Sequence, residues 1–266
     1  MLDLNTKTTK SLNEIKKEAP SIFTSTASNN VSSHYTHIPT SKVIEDMEIL
    51  GWNVVDVKEV KARKGIGFQK HLVVFRNNNI VINGNDNDTV YPQILLTNSH
   101  DGKNAFTFTA GLFRLICENG LVISTTKFED VKLRHMGYTF EELQTKIHAM
   151  VEKLPLTVES MNLMKEIQLD QDQIIEFAKQ AISTRFTEKE LEIIDIDYNQ
   201  LVTPTRDEDK GNDLWSVFNV VQEKIIDGDF NYTYGVKTRK ARRIKNFNQD
   251  LDINKALFET ALSFAN

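Results

Sequence analysis

Cysteine is almost absent from this chain. Its 266 residues hold one, Cys117, which excludes an internal disulfide and any zinc site made of cysteines alone. No apolar run approaches the ~20 residues that a bilayer span requires. The opening Met1-Leu2-Asp3-Leu4-Asn5 turns polar too soon to form a signal-peptide core. These absences lead us to expect a cytoplasmic protein with no membrane partner. Also missing are a Gly-x-x-x-x-Gly-Lys-Ser/Thr phosphate loop, a dinucleotide fingerprint, a Gly-x-Ser-x-Gly elbow, a His-Glu-x-x-His helix and paired zinc knuckles. A basic balance is lacking as well. With 32 Lys and Arg against 37 Asp and Glu the net charge is −5, so the surface as a whole does not suit a polyanion.

What is present is ordinary globular material. Hydrophobic residues make up 40% and charged residues 26% of the chain, and this length buries one large core or two modest ones. Residues 1–36 are rich in Ser, Thr, Asn and Lys, which predicts a flexible N-terminal arm. Residues 37–137 read as a sheet-rich core. Thr40 or Ser41 caps a helix carrying Val43, Ile44, Met47, Ile49 and Leu50, and Gly51 stops it. A β-rich run from Trp52 to about Arg63 holds Val55, Val57 and Val60, and strands follow at His71–Arg76, Tyr91–Asn98 and Ala105–Thr109, with shorter candidates at Ile80–Ile82 and Leu121–Ser124. Residues 138–266 turn helical. Thr139 caps a helix running to about Lys153, Pro155 breaks it, and further helices are predicted near 158–168, 170–184, 187–197, 213–227 and 251–264. The class is α+β: an antiparallel-rich N-terminal sheet with helices, then a helical half carrying a basic loop at 231–248.

The densest polar signal lies between His71 and His135. Asn98-Ser99-His100-Asp101-Gly102 follows an apolar strand. Gly111-Leu112-Phe113-Arg114-Leu115-Ile116-Cys117-Glu118-Asn119-Gly120-Leu121 comes next, and then Arg134-His135-Met136-Gly137. His71, Asn98, His100, Asp101, Arg114, Asn119, Arg134 and His135 form a candidate central site. Three readings stay open for it. Asn98, Ser99 and Asp101 bond the backbone of a turn at Gly102; or the group touches a phosphate; or His71, His100, His135 and Asp101 take a divalent metal, although none has a recognised metal spacing. Cys117 sits among apolar neighbours and reads as a core thiol rather than a nucleophile. Arg114 lies in an apolar segment and needs an anion, either Glu118 four residues on or a phosphate.

These same motifs, with Ile38-Pro39-Thr40, Gly51-Trp52 and Phe218-Asn219-Val220-Val221-Gln222-Glu223 beside them, resemble the DUF932 family over roughly residues 34–262. The family is named for its unknown function. The resemblance implies a home on phages, prophages and plasmids.

The clearest electrostatic feature comes later. Six of the nine residues from Lys237 to Lys245 are basic: Lys237, Arg239, Lys240, Arg242, Arg243 and Lys245. Tyr232, Tyr234 and Phe247 flank them, a mixture that suits phosphate contact and base stacking; the bland alternative is a solvated surface run. A second group, Lys58, Lys61, Arg63, Lys64 and Lys70, borders the first hairpin, and the two make a groove if they share a face. The expectation is a protein that binds nucleic acid, single-stranded DNA above all, and works in annealing, recombination or replication. It needs no resident cofactor, and self-assembly is left open. The alternatives are a nuclease or nucleotide hydrolase using His71, His100, Asp101, Arg114 and His135 with a divalent metal, and a modulator of host defence that binds protein through the acidic 206–213 stretch and the mobile N-terminal arm.

Overall fold

Residues 71–76 read His-Leu-Val-Val-Phe-Arg, and all six are buried. A strand sealed on both faces belongs inside a sheet rather than at its rim. The computed structural model describes residues 9–29, 31, 35–62, 66–83, 89–104, 106–114, 120–122, 131–133 and 138–265, which divide into two compact units, Met1–Leu154 and Pro155–Asn266. In the first unit the described helices are α1 (Leu12–Glu18), α2 (Thr40–Ile49) and α3 (Phe140–Glu152). The strands are β1 (Asn53–Glu59), β2 (His71–Arg76), β3 (Ile82–Asn83), β4 (Thr89–Asn98), β5 (Phe106–Arg114), β6 (Gly120–Val122) and β7 (Val131–Leu133). They pair antiparallel in the order β1-β2-β4-β5-β6, with β3 added on β4 and β7 on β5. Pro92 lies within β4, one residue beyond the last pair with β2, Arg76↔Gln93, and opposite Leu112 of β5.

The N-terminal segment departs from the loose arm that its composition predicts. Ser11 and Glu14 close a capping box at the start of α1, and a 3-10 turn follows at Pro20–Phe23. Ile15, Ala19 and Ile22 are fully buried, and the Lys10 N–H donates to the Val54 carbonyl at 2.8 Å. Ile15 on α1, Ala19 at its C-cap and Ile22 in the 3-10 turn put three apolar side chains into the core within eight residues. Average polarity hides them. Thr40 is also displaced from its expected role: Pro39 occupies the cap position, and Thr40 is the first helical residue with its side chain buried.

The second unit holds α4 (Leu154–Glu166), α5 (Gln171–Ile182), α6 (Glu188–Leu191), β8 (Ile194–Ile196), α7 (Asn199–Val202), α8 (Leu214–Asp227), β9 (Asn231–Tyr234), β10 (Lys237–Lys240) and α9 (Phe247–Phe264), α4 crossing the divide by one residue. Helix α8 buries eleven of its fourteen residues, the signature of a central helix. The helix expected over 187–197 is instead one short turn, α6, followed by strand β8; the β-branched alternation Ile194-Asp195-Ile196 favours pairing with β9. The acidic 206–213 stretch is tied down. Arg206 grips Glu223 through two bonds of 2.6 Å and reaches Asp209 at 3.1 Å. Among the described residues no helix is long and apolar enough to cross a membrane.

Gly228 ends α8 in the left-handed region, at φ 72°. A Cβ there would lie 2.5 Å from the Arg242 carbonyl carbon and 2.8 Å from that of Ala241. Gly228→Ala therefore combines strain at positive φ with a backbone clash, and at least about 2 kcal/mol of stability is expected to go. A drop in the urea midpoint measures it. An unchanged midpoint would mean that residues 241–242 do not pack against this helix end.

Candidate nucleic-acid interface

The basic run is a pinned hairpin rather than a loose loop. Strand β9 lies between β8 and β10, with Lys237 opposite Tyr234 and Arg239 opposite Tyr232. Alternate residues of a strand share a face, so Tyr232, Tyr234, Lys237 and Arg239 stand together. Ile194 and Ile196, paired with Tyr234 and Tyr232, extend that face onto β8. The other face carries Asn231, Thr233, Thr238 and Lys240. All four residues of β10 are exposed, Tyr234 is 45% exposed, and the Arg239 guanidinium lies 5.1 Å from the Tyr234 ring centroid. Beyond β10 the chain is held against the end of α8. The Ala241 N–H donates to the Phe230 carbonyl at 2.9 Å, and the Ile244 N–H donates to the Ile226 carbonyl at 2.8 Å.

Not all six cations are free to meet a ligand. Lys240 pairs with Asp229 at 3.2 Å and Arg243 with Asp227 at 3.2 Å. Asp229 also holds Lys224 at 2.9 Å, and these lysines keep its carboxyl below the usual range. Lys237, Arg239, Arg242 and Lys245 have no carboxylate partner among the described residues. The exposed pairs of Lys240 and Arg243 contribute little stability, but they reduce the charge available to a phosphate.

Beside the hairpin opens a cavity of about 890 Å³ lined by Arg185, Phe186, Tyr232, Arg239, Lys240, Ala241 and Arg242. Arg185 and Phe186 are absent from the sequence-derived site. Their only signal is an Arg-Phe pair just past the end of α5, more than forty residues before the basic run. The Arg185 guanidinium donates to the main-chain carbonyls of Ile225 and Arg242. It stands 5.4 Å from the Phe230 ring centroid and 5.8 Å from that of Phe186. Burial pulls its pKa below the ordinary guanidinium value, while the Tyr232 phenol pulls the other way.

The central site is a different kind of object, built in the N-terminal unit. Cross-strand pairing sets His71 opposite Asn98, and both are buried together with His100, Ser99, Ser21 and Thr40. The Thr40 hydroxyl is the hub. It lies 2.8 Å from His71 Nε2, 3.3 Å from His100 Nε2 and 2.9 Å from Asn98 Nδ2, which donates to it. His71 Nδ1 faces the Gln69 carbonyl at 3.1 Å and the Ser21 hydroxyl at 2.8 Å. A carbonyl can only accept, so Nδ1 carries the proton, Nε2 accepts from Thr40, and His100 Nε2–H donates to the same oxygen. Burial lowers the His71 pKa to about 4, with the Gln69 carbonyl opposing. His37 stacks edge-on against His100 at 4.7 Å and bonds the Thr24 carbonyl at 2.8 Å. Ser21, Thr24, His37 and Thr40 are thereby fastened to β2 and the end of β4.

Asp101 is part of the turn. Its carboxylate accepts from the Ser99 hydroxyl at 2.6 Å and the Lys103 N–H at 3.1 Å, while Gly102 takes φ 77°. Burial raises its pKa, but these bonds outweigh it and the net direction is downward. Among the described residues no group of three His, Cys, Asp or Glu side chains converges to hold a metal. Arg63, Lys64, Cys117, Glu118, Asn119, Arg134 and His135 lie outside the described residues, and Arg114 is placed on β5 in its backbone alone. Of the second basic group, Lys58 and Lys61 are exposed and Lys70 is half-buried. They border the β1–β2 hairpin of the first unit, so the cavity described above is built without them.

Fold and site together define an α+β protein with an aromatic, cationic hairpin and a buried polar hub. Residues 28–258 match the family described as Domain of unknown function (DUF932), and the chain belongs to it. It is similar to the UPF0380 protein YfjQ of Escherichia coli (strain K12), 26% identical over 252 residues, 93% of this chain and 89% of that relative. It is equally similar to the UPF0380 protein YafZ of the same strain, 26% identical over 251 residues with the same coverage. No solved structure matches the chain.

Proposed function

We propose that this chain binds nucleic acid, single-stranded DNA in particular, through the β9–β10 hairpin and its adjoining cavity. Its setting is the cytoplasm, in annealing, recombination or replication of a phage or plasmid. The observation that carries the reading is the shared face of Tyr232, Tyr234, Lys237 and Arg239, set by the hairpin register. Cations there release counterions from a phosphate backbone, and aromatic and guanidinium planes stack on bases. Stacking requires unpaired bases, which is why a single strand fits better than a duplex. The net charge of −5 confines the contact to this limited surface. The enzymatic alternative draws less support, because His71 and His100 each commit Nε2 to the buried Thr40 hydroxyl, and His71 Nδ1 is held by Gln69 and Ser21.

Fluorescence anisotropy with single-stranded and blunt duplex oligonucleotides tests the proposal. Four phosphate contacts at ~0.7 each give a salt slope of roughly 3, so affinity for a single strand falls roughly 50-fold from about 50 to about 200 mM salt. The duplex binds more weakly at both. No binding at the lower salt, or a preference for duplex, would overturn the proposal.

A further inference from the structure

The cavity beside the hairpin differs from an ordinary charged surface in what it excludes. Among the described residues that line it none is acidic, while four are cationic and two aromatic. Lys240 alone among those cations has a carboxylate partner among the described residues. Arg185 is the unusual member. Two of its five N–H donors bond main-chain carbonyls, and the Phe230 and Phe186 ring centroids lie 5.4 and 5.8 Å from it. A half-buried guanidinium held by neutral groups keeps its positive charge uncancelled. Held by two main-chain bonds, the fork needs little ordering when an anion arrives, and those bonds leave three of its five N–H donors unused. Phe186 and Tyr232 stand edge to face at 5.5 Å on the same wall. A volume of about 890 Å³ lies within the ~300–1,000 Å³ of small-molecule sites. It is far too small for a duplex but roomy for one nucleotide.

We propose that this cavity is a nucleotide subsite: Arg185 and Arg242 hold one phosphate, and the attached base lies against Tyr232 and Phe186. The inference rests on the nucleic-acid reading above and deepens it, since it adds one seated nucleotide to a strand that otherwise runs along the exposed hairpin. A site built this way also accepts a free nucleoside monophosphate, which an extended backbone-tracking surface does not.

The test is titration of the full chain with deoxythymidine monophosphate, inorganic phosphate and deoxythymidine, followed by amide chemical shifts. Saturable binding of the monophosphate is expected, with shifts at residues 185–186, 232 and 239–242. Inorganic phosphate should bind roughly tenfold more weakly for want of the stacking contribution, and the nucleoside should not saturate. Arg242→Gln, at an exposed side chain, should weaken the monophosphate roughly tenfold, and Tyr232→Leu should erase its advantage over phosphate. Arg185→Ala removes packing as well as charge, so these two variants carry the test. If oligonucleotides bind and the monophosphate does not, the subsite is wrong and the hairpin reading stands. If the monophosphate binds here and oligonucleotides do not, the subsite holds and the strand-binding function falls. If neither binds, both fall.

Discussion

Replacing Lys237, Arg239, Arg242 and Lys245 together by glutamine is expected to lower affinity for a single-stranded oligonucleotide roughly 500-fold at about 0.1 M salt. The magnitude follows from counterion release. Each phosphate contact on a single strand contributes ~0.7 to the slope of log affinity against log salt, which at that concentration is ~0.7 decade per contact. The slope itself should fall by roughly 3. Lys240 and Arg243 provide the contrast, because each faces an aspartate. Removing that pair gives up less net attraction, and the loss should stay under roughly tenfold. All four residues of β10 are exposed, as are Arg242, Arg243 and Lys245, so the melting temperature should barely move in either variant. A fourfold variant that keeps the parent's affinity and slope would remove this surface from consideration.

The charge of that surface was legible in the sequence, but its geometry was not. Lys237 to Lys245 announce themselves by composition. That Tyr232 and Tyr234 share a face with Lys237 and Arg239 depends on the register through the Gly235-Val236 turn, and a slip of one residue would put the tyrosines on the opposite side from the cations. Arg185 joins them only through tertiary folding, so no local pattern marks it. In the N-terminal unit, the apolar run His71–Arg76 and the cap at Thr139 are stated by local chemistry and appear where expected. The errors have local causes too. Ile15, Ala19 and Ile22 are too sparse to stand out from the polar residues around them, yet they are enough to dock a short helix. Acidic residues at 188–192 resemble an exposed helix, and the β-branched pair that follows breaks it. His71, Asn98 and His100 were recognisable as a cluster. Thr40, the atom that joins them, looked like a helix cap, because threonine satisfies a helix end and a buried histidine with the same hydroxyl.

That hydroxyl is where the largest loss of stability is expected. Thr40→Val preserves shape and deletes one oxygen. His71 Nε2 then loses its donor, while Asn98 Nδ2 and His100 Nε2 each lose this acceptor, all within a sealed site. Each buried group deprived of a partner costs about 1–3 kcal/mol, and with shared relaxation the sum is about 3–5 kcal/mol, a large part of the 5–15 kcal/mol a typical domain has. Acid acts on the same hub. The folded His71 pKa is depressed to about 4, below the ~6.5 of an unfolded histidine, so as pH falls the unfolded chain takes up the proton first. The contribution is therefore complete above pH ~6.5 and drains away between there and ~4, at most about 3 kcal/mol in all. Urea midpoints at several pH values, read by circular dichroism and amide exchange in the β2–β4 region, measure both effects. His71→Gln should flatten the profile across that window, since glutamine does not titrate. Thr40→Val should make it shallower, because without the donor at Nε2 the neutral imidazole is less favoured and its pKa moves back toward 6.5. A Thr40→Val protein as stable as the parent, or an acid profile indifferent to His71→Gln, would show that the buried hub does not hold the N-terminal segment to the sheet.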